Sequence, residues 1–195
     1  MTNLEMYALL KAEGGSSTEA KETLKALIDK SIAKIDIPAE VMRIGGYVFY
    51  RCLSLTSITI PGSVVTIEHN AFRECSNLTT VYISNGVTQI GTSAFNGCSN
   101  LTTLFIPNSA TIDSLTVFRD CNNLENVILE PGFNAKNLDL SSSTLYSVET
   151  LVAMLNALAD RTGQTAYSLT LGSINLAKLS NEQIAIATQK NWTLA

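Results

Sequence analysis

Histidine is nearly absent from this chain, with one in 195 residues. A catalytic or metal centre built on imidazole would have only His69 to draw on. Charge is scarce too. Asp, Glu, Lys and Arg make up 15% of the residues, against about a quarter in ordinary globular chains. The 13 basic and 17 acidic side chains leave a formal net charge of −4, and no basic cluster forms a nucleic-acid footprint. No stretch approaches the ~18 apolar residues of a membrane span, so no membrane insertion is expected. The opening segment carries Glu5 and lacks a basic n-region. Its apolar run from Met6 to Leu10 is too short for a secretory h-region, so no export signal is predicted. That leaves localisation open between a cytoplasmic, a cell-surface and a phage-associated role. The hydrophobic share of 46% excludes disorder driven by charge. Neutral Ser, Thr and Asn must therefore cover the surface, and the length suits one domain or one domain with a small appendix.

What the chain does have is a repeat. Cys52, Cys75, Cys98 and Cys121 stand 23 residues apart, as do Phe49, Phe72, Phe95 and Phe118. The same step joins Leu55, Leu78, Leu101 and Leu124. It joins Ile35, Ile58, Val81, Leu104 and Val127, and also Ile37, Ile60, Ile83, Ile106 and Leu129. Val41, Val64, Val87 and Ala110 form a further column, as do Ile44, Ile67 and Ile90. A period in this range signals a solenoid, because one coil cannot bury its apolar side alone and stacked coils can.

One unit runs from Leu55 to Cys75. Leu55, Ile58 and Ile60 match L-x-x-L-x-L, and the Ile58-Thr59-Ile60 alternation predicts a short strand with two inward side chains. Pro61 ends that strand for want of a backbone donor. Val64 and Ile67 begin a return leg, and Ala71-Phe72-x-x-Cys75 closes the coil. Ile60-Pro61, Val64, Ile67, Ala71-Phe72, Cys75, Leu78 and Val81 resemble the BspA-like leucine-rich repeat, also called the Treponema pallidum type. Ile83, Val87, Ile90, Gly91, Ala94-Phe95, Cys98, Leu101 and Leu104 repeat the match. The resemblance covers about residues 35–129. It implies a short α/β solenoid with a parallel concave sheet and helical caps at both ends. It also implies a non-catalytic protein-recognition or adhesion module, as in surface proteins of mucosal bacteria. The alternative is a prophage-encoded structural or receptor-contacting protein. Two departures matter. Ser84 replaces the strand-ending proline, and Asp113 falls in an aliphatic column, so that return leg should slip and let Ile112 or Leu115 fill the gap.

Three segments are expected: a helical cap over 1–34, repeats over 35–130 and a helix-containing cap over 131–195. Ser16-Ser17-Thr18-Glu19 is a capping box that predicts a helix over about 17–32. Ser147 to Asp160 predicts a second helix. Ser180-Asn181-Glu182-Gln183 predicts a third, through about Lys190. Leu169-Thr170-Leu171 reads as a strand, and Trp192-Thr193-Leu194 mimics it 23 residues on. The end of the chain is thus expected to continue the same sheet as two leucine-rich units.

Candidate chemistry is sparse. Four cysteines at one repeat position predict a buried column of thiols. Neighbouring spacing would also allow a disulfide, while the short C-x-x-C spacing of a metal site is missing. His69 is expected on a solvent-facing return leg. No hydrolase triad, zinc motif, P-loop or dinucleotide glycine pattern appears, so neither an enzyme nor a cofactor is expected. Asn77-Leu78-Thr79 and Asn100-Leu101-Thr102 match a glycosylation acceptor, but their 23-residue recurrence favours a backbone-pairing ladder. The outward strand positions carry the site prediction. Lys34, Ser57, Thr80, Thr103 and Asn126 form one polar column. Asp36, Thr59, Tyr82, Phe105 and Ile128 form the other, with three large apolar groups side by side. Such a patch marks contact with a protein partner (weak self-association included), cover by the chain's own C-terminal segment, or cross-strand stacking alone. The residues assigned to it are Tyr82, Phe105, Ile128, Thr59, Thr80 and Thr103.

Overall fold

The computed structural model describes residues 33–112 and 114–195. Five strands run along the concave side: β1 (Lys34–Asp36), β3 (Ser57–Ile60), β5 (Thr80–Ile83), β7 (Thr103–Ile106) and β9 (Asn126–Leu129). They form one parallel sheet in the order β1-β3-β5-β7-β9. Their register repeats the 23-residue step, with Ile35 opposite Ile58, Ile58 opposite Val81 and Val81 opposite Leu104. The return legs pair as a second parallel sheet: β2 (Arg43–Ile44), β4 (Thr66–Ile67), β6 (Gln89–Ile90) and β8 (Thr111–Ile112). The predicted helix over 17–32 lies outside the described residues.

Between the two sheets lies the core. The rings of Phe49, Phe72, Phe95 and Phe118 stack at centroid distances of 4.9, 5.1 and 5.6 Å as one buried spine. The four cysteines are fully buried thiols beside it. Cys75, Cys98 and Cys121 each donate Sγ–H to the carbonyl of Phe49, Phe72 and Phe95 on the preceding coil, at 2.9, 3.2 and 3.3 Å. Asn77 Nδ2 reaches the Leu53 carbonyl at 2.7 Å, the expected role for that column. A threonine ladder joins it, with Thr56, Thr79 and Thr102 donating to the carbonyls of Ala33, Thr56 and Thr79. In the threonine ladder the hydroxyl adds a second bond to a carbonyl that already accepts the threonine's own amide, so each coil is tied twice to the one before it.

Each coil turns by left-handed residues at fixed places. Tyr47, Asn70 and Ser93 have φ of 63°, 56° and 57°, and Arg51, Glu74, Gly97 and Asp120 have φ of 56°, 58°, 76° and 62°. Only one of these seven is glycine, so stacking with the next coil holds most of them there against an intrinsic cost of roughly 1–2 kcal/mol. The amides of Tyr47, Phe49 and Arg51 thereby donate to the carbonyls of His69, Ala71 and Arg73 on the following coil. Glycine is required at Gly86, where φ is 115° and a Cβ would sit 2.0 Å from the Gly62 carbonyl oxygen.

Both departures from the motif have visible consequences. The Ser84 amide donates to the Ile60 carbonyl at 3.0 Å, a bond proline would forfeit. In the slipped return leg Ile112, not Leu115, takes the inward place. It pairs with Ile90 one residue short of the repeat and is buried, while Leu115 is 50% exposed. Phe118 restores the step.

Past Glu130 the sequence reading needs correction. The concave sheet does not continue. β10 (Leu138–Asp139), β11 (Tyr167–Thr170) and β12 (Trp192–Leu194) form a separate parallel sheet. Helix α1 (Val148–Ala157), capped by Ser147, packs against β9 instead. Its buried Leu151, Met154 and Leu155 recur at helical spacing, so this segment buries its apolar face as a helix beside the last strand. A short α2 (Ser173–Leu176) follows, and α3 (Asn181–Gln189), with both capping-box bonds of Ser180 and Gln183, packs on α1. Trp192 pairs with Tyr167 and Leu194 with Leu169, a step of 25 and not 23. The slip is two residues, so inward and outward faces are preserved.

Candidate recognition surface

The concave sheet presents its outward columns in the predicted register. Lys34 lies opposite Ser57, Ser57 opposite Thr80, Thr80 opposite Thr103 and Thr103 opposite Asn126. In the other column Asp36 lies opposite Thr59, Thr59 opposite Tyr82, Tyr82 opposite Phe105 and Phe105 opposite Ile128. Strand alternation sends Ile58 and Ile60 inward and therefore Ser57 and Thr59 outward, and the same logic holds coil by coil. Thr59 is exposed, while Thr80 and Thr103 are half-buried.

Tyr82, Phe105 and Ile128 form a crest. The rings of Tyr82 and Phe105 stack at 4.5 Å with 14° between planes, so they stand side by side with their rims toward solvent. Tyr82 is 44% and Ile128 50% exposed, with Phe105 half-buried between them. Helix α1 packs on β9 but leaves Ile128 open, so the C-terminal segment does not cover the column. The coils that carry Tyr82 and Phe105 are free of formal charge, since from Cys75 to Ile112 the chain holds no Asp, Glu, Lys or Arg, while Glu130 beyond β9 accepts from Asn85 and from the Asn108 amide. At the N-terminal end of the face, Lys34 Nζ stands 3.8 Å from Asp36 Oδ1, both largely exposed.

A second concavity was not anticipated. A polar hollow of about 240 Å³ lies on the return legs, lined by Thr66, Glu68, His69, Gln89, Gly91 and Thr92. His69 is exposed there, edge-on to Tyr47 at 5.3 Å. Its neighbour Glu68 is already engaged by the Gly46 amide at 3.0 Å and by Arg43 at 2.9 Å. Two glycines are its signal in the sequence: a Cβ at Gly91 would strike the His69 backbone nitrogen at 2.8 Å, and one at Gly46 would strike the His69 ring at 2.7 Å.

Two of the buried thiols, Cys98 and Cys121, are held in their neutral form. Burial, and then its cysteine neighbours, push Cys98 well up, and burial pushes Cys121 up to about 12. Among the described residues no group of three or more His, Cys, Asp or Glu side chains converges on a metal position, and no helix is long and apolar enough to cross a membrane.

A family model of the BspA type leucine-rich repeat region matches six copies over residues 24–146. No curated protein matches the chain in sequence. Among solved structures, a leucine-rich repeat protein from Bacteroides capillosus is 32% identical over 51% of this chain and 78% of its own, with a TM-score of 0.46. The Treponema pallidum leucine-rich repeat protein is 18% identical over 84% of this chain and 85% of its own, with a TM-score of 0.47. A leucine-rich cell surface protein from Faecalibacterium prausnitzii is 25% identical over 73% of this chain and 43% of its own, with a TM-score of 0.40.

Proposed function

The chain belongs to the BspA-type leucine-rich repeat family, and from that premise we propose that its concave sheet is a protein-recognition surface. Leucine-rich repeats serve protein binding through such extended faces. Tyr82, Phe105 and Ile128 form the apolar crest of this one, and Thr59, Thr80 and Thr103 its polar surround. The observation that carries the reading is the open crest itself. Three large apolar groups stand in register on an uncovered sheet where the adjacent column keeps Ser, Thr and Asn. Solubility alone would favour polar residues there, and aromatic groups anchor interfaces more often than most. The rims of the stacked rings lie along the ridge, which suits apolar side chains that straddle it. The prophage alternative has no residue that speaks for it.

A random peptide library selected on the native protein supplies the test. Binders should protect the amides of β5, β7 and β9 from exchange. The double variant Tyr82→Ser/Phe105→Ser should stay folded and lose at least about tenfold in affinity, the weight of one hot-spot residue. Self-association, if seen by sedimentation, should fall with the same variant. Unchanged binding by a folded double variant refutes the reading.

A further inference from the structure

We infer that the N-terminal end of the concave face is a binding step for an uncharged pyranose ring. It shares Tyr82 with the protein-recognition reading but does not depend on it. One face of the Tyr82 ring is taken by Phe105. The other looks toward Thr59, the residue directly opposite in register. A threonine side chain is far shorter than a tyrosine, so the outer part of that ring face stands clear above it, consistent with the 44% exposure of Tyr82. The next member of the column is Asp36. With strands about 4.8 Å apart, the Tyr82 ring and Asp36 flank Thr59 as two walls roughly 10 Å apart. One saccharide ring fits between such walls.

The chemistry of the three sides matches a sugar. An aromatic face carries negative potential and attracts the polarised C–H groups of a pyranose. The floor and flank offer the hydroxyls of Thr59, Ser57 and Thr80 in adjacent register positions. The far wall offers a carboxylate that can accept from two neighbouring hydroxyls. Its ion pair with Lys34 is exposed on both sides and long, at 3.8 Å, so it yields readily to a ligand. Lys34 is the one basic side chain in the two outward columns, and no formal charge follows between Cys75 and Ile112, which argues against an anionic ligand. A proline ring would stack on Tyr82 equally well, but it brings no donor to Asp36 and would strip that carboxylate of water.

The test is NMR titration of the intact chain with the methyl glycosides of glucose, galactose, mannose and N-acetylglucosamine. At least one should shift the amides of Asp36, β3 and β5, with a dissociation constant on the order of 1 mM for so small a ligand. Tyr82→Ala should abolish the shifts and Tyr82→Phe should keep them. Asp36→Asn should weaken binding about tenfold, as loss of a charged acceptor does, and Ile174→Ser, on the exposed α2, should change nothing. If none of the four glycosides shifts these amides, or if Tyr82→Ala binds as well as the parent, the inference is overturned. A hexaproline peptide that shifts the same amides when the glycosides do not would overturn it too, yet leave the protein-recognition reading standing.

Discussion

In the repeats, a side chain finds its acceptor one coil back, and the next coil does the same again: Cys98 on Phe72, Cys121 on Phe95, Thr102 on Thr79. Beyond Glu130 the side-chain bonds no longer follow the 23-residue step. Lys190 Nζ donates to the carbonyls of Leu155, Asn156 and Leu158 and so closes the C-terminus of α1. Buried Ser143 donates to the Leu124 carbonyl of the last repeat, and buried Asn175 donates to the Ser143 carbonyl. Arg161 is 5% exposed, bonds Asn134 and the Thr165 carbonyl and lies 3.4 Å over the Tyr167 ring. Backbone acceptors near the core need partners in both regions. A solenoid supplies them by translation, so each coil needs only small or hydroxylic residues. An end unit has no further coil to lean on and recruits long cations whose tips can reach several carbonyls at once. The comparison teaches that where translation stops, backbone carbonyls are met by single lysine and arginine side chains and no longer by one small side chain repeated coil after coil.

The largest effect should come from breaking the translated part. Phe95 stacks on both Phe72 and Phe118 and is fully buried. Phe95→Ala should cost about 3–5 kcal/mol. For a chain of this size the drop in Tm should be on the order of 10 °C. A melting shift no larger than that of Thr59→Ala, on the exposed face, would contradict the spine.

The end unit should break differently. Arg161→Ala leaves Asn134 and the Thr165 carbonyl without their donor, at a cost of roughly 1–3 kcal/mol. The loss should stay local. Hydrogen exchange should quicken in β11 and β12, while β3, β5 and β7 keep their protection, because repeat stability is set by nearest neighbours. Equal loosening of both regions would erase the distinction between them.

The same contrast explains what could be read from sequence. Seven columns at one step fixed the strands, the inward faces, the phenylalanine spine and the buried thiols before any coordinates. They also fixed the register of Tyr82, Phe105 and Ile128, since alternation follows from it. The capping box at Ser180 announced α3 locally, and the run from Ser147 to Asp160 read as a helix that Ser147 proves to cap. Periodicity could not give the register of β11 and β12, which follows the 25-residue length of the last coil. Nor could it foresee β10, two residues long and paired 31 residues on, with Leu138 opposite Leu169. The openness of the crest was likewise beyond reach, because it depends on where α1 packs. The hollow beside His69 depends on glycines whose need appears only when Gly91 meets the backbone of the coil before it and Gly46 the His69 ring.

At neutral pH the smallest effect belongs to the joint between the two regions, and it shows only in alkali. Cys98 and Cys121 belong to the repeats and Tyr146 to the end unit, its hydroxyl donating to the Leu140 carbonyl at 3.1 Å. Burial raises all three, with Cys121 going from 9.0 to about 12. In the unfolded chain these groups release their protons at ordinary values. Above pH 9 the unfolded chain therefore holds fewer protons than the folded one, and stability must fall as the pH rises. Each thiol adds a slope on the order of 1 kcal/mol per pH unit wherever the unfolded chain has released its proton and the folded chain has not. Urea unfolding from pH 8 to alkaline conditions should show a steady loss that begins near pH 9 and continues toward 12. Cys121→Ala removes one titrating group and should flatten the slope by about that single-thiol share, whatever it does to stability at pH 8. Tyr146→Phe should flatten only the upper end, because an unperturbed phenol titrates about a unit higher than an unperturbed thiol. Stability that stays level above pH 9 would mean that the thiols are accessible to water in solution and that the column does not pack as described.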